Sequence, residues 1–159
     1  MAYTIHVYEE SAVTLIAKYG LYQQGKASTY WPISPYFVLL CGSNVADFDA
    51  SFVGSVTEIL ATSVAELPTA NGYVVGGKPV GFASIGGNIA TSWSVPTGGT
   101  LTASSALLCY RRPDVAGAAY SISSPIAMVD FGGTVSRSAG TAFHVSWAAS
   151  SFLVLDSIA

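Results

Sequence analysis

The side chains able to do chemistry are few and scattered. His6 and His144 are the only histidines, and Cys41 and Cys109 the only cysteines. A zinc site draws three or four Cys or His ligands from short spacings, and two of each, far apart, do not supply them. A serine hydrolase needs a serine beside an oriented histidine. His144 is the one candidate for that base, yet no G-x-S-x-G elbow accompanies it; Gly132-Gly133-Thr134-Val135-Ser136 does not fit the pattern. Asp47-Phe48-Asp49 lacks the ligand series and closing glutamate of a calcium loop. Nine acidic residues could supply a glycosidase pair, but none stands out. The glycine pairs 76–77, 86–87, 98–99 and 132–133 lack the Lys-Ser/Thr ending of a phosphate loop, and turn chemistry explains them. No cofactor or metal is expected.

The elements that must carry these residues are mostly strands. Residues 3–8 read as a strand and 9–19 as a short helix. Ala12, Leu15, Ile16 and Tyr19 fall on one helical face, with Gly20 as its stop. A loop over 20–35 is closed by Pro32 and Pro35. Tyr36 to Cys41 is a continuous apolar run, the mark of a strand covered on both faces. Residues 44–66 hold one short helix, with Phe48, Phe52, Val56 and Ile59 at helical spacing. From residue 72 onward strand signals recur: 73–75, 79–84, 89–95, 101–111, 126–131 (stopped by Gly132-Gly133), 142–147 and 152–155. Gly86-Gly87 reads as a two-residue hairpin turn. The small centre of 101–111 (Ala103, Ser104, Ser105, Ala106) predicts close packing by a neighbouring layer. In 142–147, Phe143, Val145 and Trp147 alternate with Ala142, His144 and Ser146.

Strands at intervals of about 8–12 residues, punctuated by Gly and Pro, predict a mainly β chain. The expected architecture is a single antiparallel β-sandwich or jelly-roll-like domain over 1–159. One or two short helices fall in its N-terminal half. Residues 1–35 form an attachment region and 36–159 the sandwich.

Composition narrows the function classes. The chain has 159 residues, 51% hydrophobic and only 9% charged, with six basic and nine acidic side chains. Ordinary soluble domains carry roughly 25% charged residues. Disorder is excluded, because a disordered chain is charge-rich and poor in apolar residues. Six basic residues cannot line a phosphate backbone, so no nucleic-acid partner is expected. No run of about 18 apolar residues spans a membrane, and Met1 to His6 lacks the features of a signal peptide. The two cysteines end apolar runs and read as buried thiols of a reducing cytoplasm. So little charge implies a surface partly covered by other protein. Tyr19, Tyr22, Tyr30, Trp31 and Tyr36 cluster around the N-terminal loop and suit interface anchors. Arg111 and Arg112, at a strand end, could clamp a neighbour's carboxylate.

Seven segments in order resemble a family of small tailed-bacteriophage virion proteins. Tyr36-Phe-Val-Leu-Leu-Cys-Gly-Ser43 resembles the family's Y-K-V-A-L-V-T-S strand. Gly72-Tyr-Val-Val-Gly-Gly-Lys-Pro-Val80 resembles G-Y-x-x-G-G-x-x-L, and Ser92-Trp93 sits where T-W follows. Leu107 to Tyr110 resembles A-V-x-Y, and Ser124 to Gly133 is similar to S-P-L-I-G-Y-V-D-F-G. Phe143 to Trp147 and Phe152 to Asp156 resemble the closing F-x-I-x-W and I-L-T-L strands. The resemblance covers 36–156. Residues 1–35 match poorly, and Gly86 to Thr91 replaces an Asp-rich stretch.

The resemblance implies a β-rich structural protein of the phage particle, without enzyme activity. Joined to the composition, it leads to the expectation of a capsid cement or decoration protein. Such a protein binds and stabilises the major capsid protein shell as a homo-oligomer, a trimer, on the capsid surface, after assembly in the host cytoplasm. The alternatives are a tail or fibre-associated protein binding host surface glycans, and a small hydrolase around His144.

Overall fold

The computed structural model describes residues 3–8, 36–42, 55–62, 64–79, 89–111, 123–147 and 155–158. Among them are eight strands and one helix: β1 (Thr4–Val7), β2 (Tyr36–Cys41), α1 (Val56–Thr62), β3 (Lys78–Pro79), β4 (Ile89–Ser94), β5 (Thr100–Arg111), β6 (Ser123–Ser138), β7 (Ala142–Trp147) and β8 (Leu155–Ile158). They form two antiparallel sheets. The larger has the order β1-β6-β5-β2-β3 and the smaller β4-β7-β8. The chain is mainly β, as its punctuation predicts.

The apolar run of β2 follows from burial on both faces. Val38 and Leu40 point into a core shared with the smaller sheet, where Trp93, Phe143 and Val145 meet them. Phe37, Leu39 and Cys41 point the other way, against Val56 and Ile59 of α1. β5 does the same: Ala106, Leu108 and Tyr110 face the shared core, and Leu107 and Cys109 face the helix layer. The small residues Ala103 to Ala106 are all buried, as close packing requires. β7 keeps its alternation, with Phe143 and Val145 buried and His144 and Ser146 half-buried. An aromatic chain crosses the shared core. Tyr73 to Trp93 is 6.1 Å between ring centroids, Trp93 to Phe143 6.4 Å edge-on, and Phe143 to Phe131 6.0 Å. Pairs at such spacings contribute about 0.5–1.5 kcal/mol each beyond area burial.

α1 begins at a capping box. Ser55 and Glu58 bond reciprocally: the Ser55 N–H donates to Glu58 Oε2 at 2.6 Å and the Glu58 N–H to Ser55 Oγ at 3.4 Å. The Ser55 N–H, and next the Ser55 hydroxyl that donates to Glu58 Oε2 at 2.9 Å, hold the Glu58 carboxyl below its usual range.

Three expectations change. The strand expected over 73–75 is absent: Tyr73 makes only an isolated bridge to Ala70 and the chain passes into a turn. The strand 126–131 does not stop at Gly132-Gly133; β6 runs on to Ser138. The register jumps from Ser105↔Asp130 to Ala103↔Val135, so the glycines form a bulge rather than an end. Both adopt positive φ, and the Gly132 N–H donates to Asp130 Oδ1 at 2.8 Å. The closing strand lies at Leu155–Ile158, later than the expected 152–155, of which 152–154 fall outside the described residues. The helix over 9–19, the hairpin at Gly86-Gly87 and the loop 20–35 also lie outside them.

Cys41 and Cys109 sit on neighbouring strands but do not meet. Phe37, not Cys41, faces Cys109, and Cys41 faces Ser105. The offset of four residues separates them by roughly 13 Å at strand rise, whereas a disulfide needs Cα atoms within about 7 Å. Neither is in a disulfide, and both are buried. Burial first, then the charge of Glu66, pushes the Cys41 thiol up to about 12, against a hydrogen bond with Ser105. The native protein is therefore expected to show no fast-reacting thiol in a DTNB assay at pH 8, and two after unfolding in guanidinium. A fast thiol in the native state would contradict this packing.

Candidate interaction surface

Large apolar side chains are exposed at three described positions: Val74 at 61%, Val75 at 52% and Tyr3 at 38%. The two valines sit side by side on a turn whose every anchor is internal. It begins at Asn71-Gly72, a two-residue hairpin with φ of 50° and 89°, closed by paired bonds between Ala70 and Tyr73. This is the geometry Asn-Gly favours. Gly72 is obligatory: a Cβ there would stand 1.9 Å from the Ser94 carbonyl oxygen.

Tyr73 then dives into the shared core, 1% exposed, against Trp93. Its phenol donates to Glu66 Oε1 at 2.6 Å and accepts the Leu40 N–H at 3.3 Å. That N–H lies past the end of β3, which reaches only Phe37 and Val38. Glu66 Oε1 also accepts the Gly76 N–H at 2.8 Å. The Val75 N–H donates to Thr69 Oγ1 and the Gly77 N–H to the Val74 carbonyl. Gly77, at φ 63°, lies so close to β2 that a Cβ would stand 2.1 Å from the Val38 carbonyl oxygen. Lys78 Nζ donates to the Ser92 carbonyl of β4 at 2.7 Å. The turn is thus bolted to both sheets and presents Val74 and Val75 outward in a fixed geometry. Preorganisation of this kind lowers the ordering cost of binding.

This surface was not singled out from composition. Its signals were in the sequence: Asn71-Gly72, and two adjacent valines flanked by glycines. In Gly72-Tyr73-Val74-Val75-Gly76-Gly77 the glycines and the tyrosine build the turn, and the two valines are the displayed residues.

The expected interface residues fare differently. Tyr19, Tyr22, Tyr30, Trp31 and Arg112 lie outside the described residues. Tyr36 opens β2 opposite Tyr110, and Arg111 ends β5 opposite Ser123. The register therefore puts Tyr36 and Arg111 at the same end of the larger sheet, one strand apart.

Among the described residues His144 pairs with Ser92. They face each other directly across β7 and β4, with Ser92 Oγ 2.6 Å from His144 Nδ1. A hydrolytic site needs an acid or carbonyl on the other ring nitrogen and donors for an oxyanion. No such partner of His144 is present among the described residues, and the pair is a cross-strand hydrogen bond on a sheet face. No group of three or more His, Cys, Asp or Glu able to hold a metal occurs among the described residues, and no described helix is long and apolar enough to cross a membrane.

Compared with protein-family models, curated proteins and solved structures, the chain matches none of them.

Removing the Tyr73 hydroxyl leaves the Leu40 N–H and the Glu66 carboxylate short of a partner. Tyr73→Phe is expected to cost about 1–3 kcal/mol in urea unfolding. Gly77→Ala is expected to cost at least as much, because its Cβ meets backbone; Gly140→Ala, whose Cβ meets nothing within 4 Å, should cost less. Equal costs for the two alanines would show that the turn does not press on β2.

Proposed function

We propose that this chain is a structural protein of a tailed-bacteriophage particle: a capsid cement protein that binds and stabilises the shell of the major capsid protein. It works by binding and catalyses no reaction. It is assembled in the host cytoplasm, acts on the capsid surface as a homo-oligomer, and engages neither nucleic acid nor membrane.

The observation that carries the reading is the rigid turn at Val74-Val75. Two exposed valines on a backbone fixed to both sheets are costly to leave in water and cheap to dock. Low charge and the ordered series of motif resemblances support the virion assignment. A glycan-binding fibre would favour exposed aromatic shelves. Trp93, Tyr73 and Tyr8 are instead buried, and Tyr3 is the one exposed aromatic among the described side chains, so this second reading gains little from them.

The test is rebinding of the purified protein to phage shells assembled without it. Val74→Asp/Val75→Asp is expected to weaken rebinding by about tenfold or more, as for loss of an interface anchor, with the unfolding midpoint unchanged. Thr97→Asp, at another exposed turn, should rebind normally. Undiminished rebinding by the double variant would remove the turn from the interface. Failure of the unaltered protein to bind any shell would remove the capsid assignment itself.

A further inference from the structure

Three asparagines occur in the chain, and only one precedes a glycine: Asn44 is followed by Val45, Asn88 by Ile89 and Asn71 by Gly72. The distinction is chemical. The backbone nitrogen that follows an asparagine can attack the side-chain amide carbon. A β-branched next residue crowds that approach, whereas glycine leaves it open. Asn71 and Gly72 are both exposed, so water reaches the bond.

The turn holds the reacting atoms apart. Asn71 has a φ of 50°, in the left-handed region, where ψ is about +30 to +60°. At that ψ the Gly72 nitrogen lies across the Asn71 Cα–C bond from Cβ, out of reach of the side-chain carbon. Three contacts fix this arrangement. Asn71 Nδ2 donates to the Thr100 carbonyl at 2.8 Å. Gly72 lies against the Ser94 carbonyl with no room for a Cβ, and a Cβ on Gly99 would stand 2.9 Å from Asn71 Oδ1. Bringing nitrogen to carbon requires rotation about both Cα–C and Cα–Cβ. The first rotation breaks the paired bonds between Ala70 and Tyr73, and the second draws Nδ2 off Thr100.

We propose that Asn71 is a self-modification site that deamidates to aspartate and isoaspartate, and that the folded turn is its lock. The Gly72 nitrogen bonds to Asn71 Cγ, the Cγ–Nδ2 bond breaks, and the nitrogen's proton passes through water to the departing ammonia. A succinimide ring results. Water then adds to one of its two carbonyl carbons: opening at Cγ gives aspartate, and opening at the backbone carbonyl gives isoaspartate. Nothing is oxidised or reduced, and water is the one co-reactant. Either product lacks the N–H that held Thr100 and sets a carboxylate beside that carbonyl oxygen. Isoaspartate also adds a carbon to the backbone of a two-residue hairpin, which the Ala70–Tyr73 pairing does not accommodate. The turn that presents Val74 and Val75 is thereby released, once and irreversibly. The chemistry is independent of the capsid reading; the loss of shell binding that follows from it rests on that reading.

The experiment ages the whole chain in mildly alkaline buffer, folded and in urea, and maps the exchange of NH2 for OH at each asparagine by mass spectrometry. In urea, Asn71 is expected to react at least about tenfold faster than Asn44 and Asn88, because only its neighbour lacks a side chain. Folding should slow Asn71 by at least about tenfold, since reaction then waits for local opening. Gly99→Ala, which presses on Oδ1, should restore most of the lost rate with the fold intact by circular dichroism. In the unaltered chain, urea below the unfolding midpoint should raise the rate in step with exchange of the Tyr73 amide. The aged protein should rebind shells more weakly than fresh protein, whereas Asn71→Gly, which keeps a turn-forming residue but has no amide to lose, should age without change. The mass readout needs no shell, so it tests the site even if the capsid reading fails. An Asn71 that reacts no faster than Asn44 and Asn88 in urea, or as fast folded as unfolded, would overturn the proposal.

Discussion

The larger sheet has to be kept from water on both faces, and the rest of the fold follows from that. β2, β5 and β6 carry apolar residues on both sides, because alternate side chains of one strand enter two different cores. One face needs a second sheet and the other a helix. β4 and β7 supply Trp93, Phe143 and Val145 to the first; α1 supplies Val56 and Ile59 to the second. The composition, half apolar and sparingly charged, is in part the cost of a layer whose centre is buried on both faces.

Tyr73 is where that layered arrangement becomes a displayed surface. Its ring lies in the shared core and its hydroxyl closes a backbone group that β3 is too short to reach. The same residue therefore fastens the sheets and fixes the turn beside it. The stiffness of Val74 and Val75 is inherited from the core rather than built by the turn alone.

Much of the fold was legible in the residues. Tyr36–Cys41 and Ala142–Trp147 match their expected bounds, because an unbroken apolar run and a strict alternation are patterns that only particular burial produces. The reading of Gly132-Gly133 as a stop misled, since positive φ serves a bulge as well as a turn and only the partner strand tells them apart. The Ser55-Val-Thr-Glu58 box marked the start of α1 more sharply than the apolar spacing did. The candidate surface was harder to see. Exposure of Val74 and Val75 depends on where Tyr73 and Gly77 are pinned, and those pins lie on β2 and β4, distant in sequence. The aromatic cluster of 19–36 is read from residue type alone, and all of it but Tyr36 lies outside the described residues.

The pairing of β1 with β6 also sets a timetable for the newborn chain. Thr4 finds its place against Asp130, so β1 is seated only after β6 has been made. At synthesis rates of about 5–20 residues per second, that is a wait of roughly 6–25 s. Through that interval an uncharged, β-branched segment has no sheet to join.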